Sequence, residues 1–238
     1  MFSVKIITAY PDMFPGVLGH SVIGKALNEK KWFLEIINLH EFGYDDRNSI
    51  DDMPFGGGPG MIIRADVVEK AVNFVSQNSD KKSQLIYMSP SGRPLKQGDL
   101  KEFSKIDQIV ILCGRFEGVD TRAIEEIGFQ EVSIGDYITA GGEVAAQVLV
   151  EGCIRLLPGV LGHPESILEE SFSNNLLEYP QYTRPKVWID AQNEQHHVPD
   201  ILLSGHHEKI KEWRNNKSIE KTIMNRPDLL NKKKKEED

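Results

Sequence analysis

Short apolar runs rich in β-branched residues recur through the first two thirds of the chain, and glycine, proline or aspartate bounds them. Such runs are typical of buried strands. The predicted strands cover residues 4–9, 33–39, 84–88, 109–113 and 131–134. Helical patterns cover residues 22–30, 65–77 and 95–103, and a long apolar helix is predicted over residues 143–157. This alternation predicts an α/β fold with a mostly parallel sheet covered by helices.

The pattern changes after the long apolar helix, which Pro158 and Gly159 end. Residues 161–175 lack apolar periodicity and contain several glycine, proline and serine residues, which predicts a flexible linker. Farther on, a helix capped by Ser204 is predicted, with Ile210 and Trp213 on one face. We therefore expect a larger domain over residues 1–160 and a small all-α domain over residues 176–238.

The composition of the 238 residues, 39% hydrophobic and 27% charged, is that of a globular protein with one sizeable core or a large and a small one. The two cysteines, Cys113 and Cys153, fit a reducing cytoplasm better than secretion. The sequence lacks both a signal-peptide pattern and an apolar stretch of membrane-spanning length. We expect a cytoplasmic protein that does not enter a membrane.

The net charge of −8 argues weakly against a nucleic-acid partner, since phosphate binding uses clustered lysine and arginine. The charges are unevenly distributed, however. Residues 180–238 contain 12 Lys and Arg against 10 Asp and Glu, whereas the rest of the chain contains 16 against 26. The overall charge therefore says little about a local groove.

Three predicted strands run directly into glycine-containing turns. These turns are residues 89–92, 114–118 and 135–142. In an open α/β sheet, ligands bind outside the carboxyl ends of the strands, and glycine there lets backbone groups approach a ligand closely. The alternative is that the glycines only turn the chain. Because three such turns occur together, we expect a ligand site.

Other ligand signatures are incomplete. Residues 19–26 match the Walker A spacing until Ala26 replaces the hydroxyl residue, and no G-x-G-x-x-G follows a strand. The histidine pairs at 196–197 and 206–207 are adjacent residues without cysteine partners, which favours helix capping and packing over metal binding. Cys113 is expected to be a small buried side chain rather than a catalytic thiol. No metal site is predicted.

Six segments resemble those of the bacterial tRNA (guanine-N1)-methyltransferases. They are DDMPFGGGPGM at residues 51–61, CGRFEGVD at 113–120, SIGDY at 133–137, PGVLG at 158–162, YTRP at 182–185 and SGHHE at 204–208. Their order and spacing are those of the family, and the likeness extends to about residue 230. The resemblance implies a trefoil-knotted SPOUT domain that binds S-adenosylmethionine, a small helical domain that helps to hold tRNA, and a homodimer with active sites at the subunit interface.

In this family the methyl acceptor is N1 of the guanosine immediately 3′ of the anticodon. N1 carries a proton, so a carboxylate must accept that proton while the methyl group is held in line. Negative charge then grows on O6, where a guanidinium would stabilise the transition state. By resemblance, Glu170 is the base, Arg155 contacts O6, and Glu117 and Asp51 bind the substrate.

The resemblance also implies the position of the cofactor site. The residues carried over are Tyr87, Met88, Ser89, Pro90, Gly114, Phe116, Gly118, Ile134, Gly135, Asp136, Tyr137, Ile138, Thr139 and Gly141. Magnesium dependence is a property of the family, although the sequence contains no magnesium motif.

The sequence departs from the family at several positions. Glu170 precedes Ser-Phe where the family has aspartate, Met53 stands for arginine, Ala145 for proline, and Phe116 for tyrosine. A glutamate keeps the proton acceptor but adds a methylene, so its carboxylate must sit farther back or bend; Glu169 is the alternative base. Two other functions stay open, a knotted methyltransferase acting on a different RNA or a different position, and a non-catalytic tRNA-binding module.

Overall fold

The computed structural model describes residues 1–78, 82–162 and 170–234. The chain forms two compact units, Met1–Gly162 and His163–Asp238, which are considered separately here. Of the predicted linker over residues 161–175, residues 163–169 lie outside the described part, and so do the last four residues of the predicted C-terminal domain. None of the described helices is long and apolar enough to cross a membrane.

The first unit alternates strands with helices. Its elements are β1 Phe2–Thr8, α1 Ser21–Asn28, β2 Trp32–Asn38, β3 Asp51–Asp52, β4 Ile62–Ile63, α2 Ala65–Gln77, β5 Ser83–Pro94, α3 Gln97–Phe103, β6 Gln108–Cys113, α4 Thr121–Ile127, β7 Gln130–Ser133 and α5 Glu143–Ile154. Five strands form one sheet in the order β2-β1-β6-β5-β7, and every neighbouring pair is parallel. The expectation of an α/β fold with a mostly parallel sheet is confirmed.

Both faces of this sheet are buried. Along β6, Ile109 and Ile111 pack into a core with α1, α3 and α5, whereas Val110 and Leu112 pack into a second core with α2 and α4. Successive side chains of a strand point to opposite faces, so the continuous apolar run from 109 to 113 supplies both cores. The carboxyl ends of β5, β6 and β7 consequently emerge from a sheet that has a hydrophobic core on each face.

Strand β5 is longer than the sequence indicated because it is interrupted and then resumes. Met88 pairs with Val132 of β7, and Arg93 pairs with the same residue after a break in register. Residues 89–92 therefore leave the sheet as a short excursion. A Cβ at Gly92 would lie 2.4 Å from the backbone nitrogen of Val132, so only glycine allows the chain to return so close to β7.

Helix α4 was not predicted, yet its ends carry ordinary signals. The Asp120 side chain accepts a hydrogen bond from Arg122 N at 3.0 Å and caps the first turn. Gly128 ends the helix in the left-handed conformation, with φ of 83°. The helix is only seven residues long, which leaves too few apolar positions for a periodic pattern to be evident.

The second unit was expected to be all-α, and this expectation is wrong. It contains the antiparallel hairpin of β8 Val187–Ile189 and β9 Gln195–His197 before α6 His207–Asn225. The Asp190 carboxylate accepts hydrogen bonds from Gln192 N and Glu194 N, both at 2.9 Å, and these bonds form the turn. The strands are three residues each, and mostly exposed, so they lack the apolar alternation by which a strand is recognised.

Helix α6 also begins later than predicted. Its N-cap is His206, and Ser204 instead ends a short 3-10 helix, Asp200–Leu203, with its hydroxyl donating to Ile201 O at 2.7 Å. Gly205 then turns the chain with φ of 71°. Ile210 and Trp213, predicted on one face of this helix, do lie on it, and both are half-buried.

Candidate active site

A cavity of about 510 Å³ lies where β5, β6 and β7 end in the first unit. It is formed by the three turns that the sequence analysis singled out. The expected ligand-contacting residues that line it are Tyr87, Met88, Ser89, Pro90, Gly114, Phe116, Glu117, Gly118, Ile134, Gly135, Tyr137, Ile138, Thr139 and Gly141. This position is the usual ligand site of an open parallel sheet.

Four of the expected site residues do not line this cavity. Asp136 is exposed in the turn after β7, and Asp51 is half-buried in β3, opposite Ile63. Arg155 follows α5 as its C-cap residue, and Glu170 belongs to the second unit. The alternative base, Glu169, lies outside the described residues.

The turns after β6 and β7 are joined through their backbones. Gly142 N donates a hydrogen bond to Gly114 O at 2.9 Å. A Cβ at Gly142 would lie 2.9 Å from the Cα of Cys113, and a Cβ at Gly114 would lie 2.8 Å from the Tyr87 hydroxyl. Glycine at these two positions therefore lets three chain segments meet at the wall of the cavity.

Arg115 links the cavity wall to the protein interior. Its Nε lies 2.9 Å from Oε2 of Glu143, the first residue of α5, and its Nη1 donates to Ala140 O at 3.3 Å. The guanidinium also stacks on the Tyr10 ring, 4.3 Å from its centroid. The Thr8 hydroxyl donates to the other Glu143 oxygen at 2.8 Å. One buried carboxylate thus connects β1, the turn after β6 and the start of α5.

The charged groups of the cavity wall favour a cationic ligand. Glu117, Glu125 and Glu131 line the cavity together with the single guanidinium of Arg115, as far as the described residues extend. Opposite charges attract more strongly near a protein surface than in bulk water. Burial, and secondarily the charge of Glu131, raises the pKa of Tyr87, so its hydroxyl keeps its proton at neutral pH.

Glu117 is held against the loop that precedes β4. Its backbone nitrogen donates to Met61 O at 2.9 Å. A Cβ at Gly60 would lie 2.6 Å from Oε1 of Glu117, and Gly60 has φ of 84°. The Glu117 carboxylate consequently occupies space that a side chain at position 60 would fill. In the same loop Met53 and Phe55 are exposed, Phe55 completely.

Several residues of the cavity wall were not predicted from the sequence. They are Ser91, Arg115, Val119, Thr121, Ile124, Glu125, Glu131, Val132, Ser133, Gly142 and Ala145. Three of them belong to the unpredicted helix α4. Glu131 lines the cavity because it pairs with Tyr87 in the sheet. This register could not be predicted from either strand alone.

The metal interpretation of the histidine pairs concerns the second unit. Among the described residues, Asp190, Glu194 and His196 are the one group with ligand atoms close enough to share an ion. His196 Nε2 lies 2.8 Å from Asp190 Oδ2, so the two side chains are already paired with each other. The imidazole lowers the pKa of Asp190 by this hydrogen bond.

The chain is similar to known proteins along nearly its entire length. The family model described as tRNA (Guanine-1)-methyltransferase TrmD matches residues 2–232. The chain is 50% identical over 232 residues to the tRNA (guanine-N(1)-)-methyltransferase of Wolbachia pipientis, covering 97% of both proteins. It is 50% identical to the protein of that name from Ehrlichia canis, over 95% of the chain and 94% of the relative. For the Ruegeria pomeroyi protein the identity is 48%, over 96% and 92%. The chain therefore belongs to the tRNA (guanine-1)-methyltransferase family.

Proposed function

We propose that this protein transfers the methyl group of S-adenosylmethionine to N1 of the guanosine immediately 3′ of the anticodon in tRNA. The observation that carries the proposal is the cavity at the ends of β5, β6 and β7. It is lined by the segments in which the chain resembles the family's cofactor site. The near full-length similarity to curated tRNA (guanine-N1)-methyltransferases supports the same reaction.

The charged residues of the cavity wall suit S-adenosylmethionine. When bound, this cofactor supplies an electrophilic methyl group on a positively charged sulfonium. Gly114, Gly118 and Gly141 would let their backbones approach the cofactor. The carboxylates of Glu117, Glu125 and Glu131 complement its cationic character.

We infer that the first unit is a trefoil-knotted SPOUT domain. After β7 the chain returns to the end of β6, where Gly142 bonds Gly114, and it then enters α5. Ala146, Leu149 and Cys153 of α5 are fully buried in the core that contains α1. A turn that comes back beside an earlier strand end, followed by a buried helix, is compatible with a knotted path.

The chemistry then requires a proton acceptor and a donor for the target base. Glu170 would accept the N1 proton, and Arg155 would donate hydrogen bonds to O6 as negative charge develops there. Glu117, in the cavity wall, would position the base beside the cofactor. Asp51 would contact the substrate from the loop that carries Met53 and Phe55.

We propose that the enzyme works as a homodimer with its active sites at the subunit interface. On α5 the side chains of Val144 and Val148 are 50% and 47% exposed, although the rest of this helix is largely apolar and buried. Apolar side chains on one helix face provide a surface for a second copy. In such a dimer, Glu170 of one chain could serve the cavity of the other. The tRNA substrate would place the reaction in the cytoplasm.

Methyl transfer to two tRNA transcripts tests the proposed function. The transcripts are identical except that one has adenosine in place of the target guanosine, and the methyl group of S-adenosylmethionine carries the label. We expect label on the guanosine transcript alone. Label on both transcripts would indicate another acceptor position, and label on neither, with cofactor binding intact, would indicate a binding module without this activity.

Two further experiments test the magnesium requirement and the dimer. The magnesium dependence carried by the family resemblance predicts that EDTA abolishes transfer and that added Mg²⁺ restores it. Light scattering during dilution tests the dimer. A fully active monomer that is stable on dilution would contradict an active site built from two subunits.

A further inference from the structure

The second unit has a cavity of its own, of about 410 Å³. It is bounded by the chain between Tyr179 and Lys186 and by one face of α6. We call it the aromatic pocket and define it by Tyr182, Arg184, Lys186, Trp213 and Arg214, all of which line it. Its volume is in the range of pockets that hold small ligands or single groups of larger ones.

Two aromatic rings form part of the pocket wall. The centroids of Tyr182 and Trp213 are 6.3 Å apart and the ring planes meet at 56°. Tyr182 is 47% exposed, so much of its ring remains open to a ligand. Exposed aromatic rings are the surfaces on which proteins stack unpaired nucleobases.

The pocket also carries positive charge that the described part of the chain does not neutralise. Arg184 and Lys186 are exposed, and neither forms an ion pair with any described residue. Cations beside an aromatic ring match a nucleotide, which joins a flat base to a phosphate. An apolar peptide segment would offer no negatively charged group to pair with Arg184 and Lys186.

A third feature is the state of Arg214. Its guanidinium lies over the Tyr179 ring, 4.7 Å from the centroid, and its Nε is buried without a hydrogen-bond acceptor among the described residues. Because Nε is closed to solvent, the two terminal nitrogens of this guanidinium are the donors that a ligand oxygen in the pocket would reach. Phosphate and base carbonyl oxygens are both suitable acceptors.

We propose that the aromatic pocket binds an unpaired nucleotide of the tRNA. Its base stacks on Tyr182, and its oxygens meet the donors of Arg184, Lys186 and Arg214. The nucleotide must be unpaired because the faces of duplex bases are already covered by their neighbours. This inference rests on the proposed function, since it takes tRNA as the substrate, but it concerns residues that do not line the methyl-transfer cavity.

Photo-cross-linking tests the pocket without depending on methyl transfer. The probe is a set of tRNA transcripts with adenosine at the target position, each with 4-thiouridine in place of one unpaired nucleotide, mixed with the full-length protein. We expect cross-links on peptides containing Tyr182 or Trp213. Cross-links that map only elsewhere in the protein, with the transcript still bound, would overturn the proposal.

Kinetics of substituted proteins provide the second test. Tyr182→Ala is expected to raise the KM for tRNA about five- to 150-fold, the cost of losing one stacked base. The kcat at saturating tRNA and the affinity for S-adenosylmethionine should not change. Tyr182→Phe keeps the ring and should keep the wild-type KM.

Trp188→Ala is the matched control, because Trp188 is a 59% exposed aromatic residue of the same unit that does not line the pocket. Its KM should stay within about twofold of wild type. An unchanged KM in Tyr182→Ala, or an equal rise in both variants, would overturn the pocket assignment. Failure of the proposed function would be seen separately, as absence of methyl transfer by the wild-type protein.

Discussion

Arg115 and Glu143 form a buried ion pair beside the cavity, with Nε and Oε2 2.9 Å apart. The Glu143 side chain is fully buried, and the two atoms are out of hydrogen-bond alignment, so the attraction is between charges. The pair joins the turn after β6 to the first residue of α5. A buried charge is tolerated only with its partner, which makes this contact sensitive to the loss of either side chain.

Removing the charge of Glu143 should therefore destabilise the protein. Glu143→Gln keeps the shape and an acceptor for Thr8 but leaves the Arg115 guanidinium unpaired. We expect the free energy of unfolding to fall by about 3–5 kcal/mol, measured by urea denaturation. Glu102→Gln, which breaks the exposed pair with Lys105, is the control and should cost less than about 1 kcal/mol. Equal losses in the two variants would contradict a special role for the buried pair.

A methyl group at position 142 should disturb the joined turns. Gly142→Ala would bring its Cβ to 2.9 Å from the Cα of Cys113, and backbone at that distance must move. We expect a loss of about 1–3 kcal/mol in the free energy of unfolding, typical of overpacking. Calorimetry should also detect weaker binding of S-adenosylmethionine, because the same turn lines the cavity.

The matched control is Gly98→Ala in α3. A Cβ there meets no atom within 4 Å, and alanine is the better helix former. This variant should be more stable by about 0.5–1 kcal/mol with unchanged cofactor binding. If it weakens cofactor binding as much as Gly142→Ala does, the steric explanation fails.

The catalytic assignment of Glu170 predicts a loss of turnover with binding retained. Glu170→Gln keeps size and polarity but cannot accept a proton, so kcat should fall by about 100-fold or more. Glu170→Asp, which restores the family residue, should keep most of the activity. Single-turnover methyl transfer with saturating tRNA and cofactor is the measurement.

Glu169→Gln distinguishes the two neighbouring carboxylates. It should retain nearly the wild-type kcat, and a larger loss in Glu169→Gln than in Glu170→Gln would transfer the base role to residue 169. Arg155→Gln is also expected to lower kcat, since one donor to a developing negative charge contributes about 100- to 1,000-fold.

The two cysteines should be unreactive in the folded protein. Burial raises the pKa of Cys153 to about 12 and that of Cys113 well above its ordinary value of 9.0. We expect neither thiol to react with a disulfide reagent at pH 8 until guanidinium unfolds the protein. Rapid labelling of either residue in native buffer would contradict this burial.

The same shift has a defined effect on stability. When folding raises the pKa of a thiol, the associated contribution to stability is fully present at pH values below the pKa of the thiol in the unfolded chain. Between about 9 and about 12, the unfolded Cys153 ionises while the folded one does not, so this contribution is lost as the pH rises. Cys153→Ala should flatten that part of the pH dependence of the free energy of unfolding.

The sheet could be predicted from sequence because burial on both faces leaves an uninterrupted apolar run. Residues 109–113 are an example, and the structure places them in β6. The hairpin of β8 and β9 could not be found in this way, since Trp188 and Ile189 are exposed and short strands show no periodicity. Helix α4 was detectable in principle from Asp120 and Gly128, the residues that begin and end it.

The site was predictable only in its local parts. The glycine turns are contiguous in sequence, so their position at strand ends followed from the strands themselves. The Arg115–Glu143 pair joins residues far apart in sequence, and neither residue type indicates its partner. The position of Glu131 beside Tyr87 depends on strand register, which is determined by the packing of the entire sheet.

The excursion of β5 has a consequence for the thermodynamics of ligand binding. Residues 89–92 leave the sheet and return to it at the same partner, Val132, so both ends of this cavity wall are anchored before any ligand arrives. A segment that is already ordered loses little conformational entropy when it closes on a ligand, and such preorganisation improves affinity without a new contact. The wall formed by Ser89 and Pro90 is thus a ready-made surface.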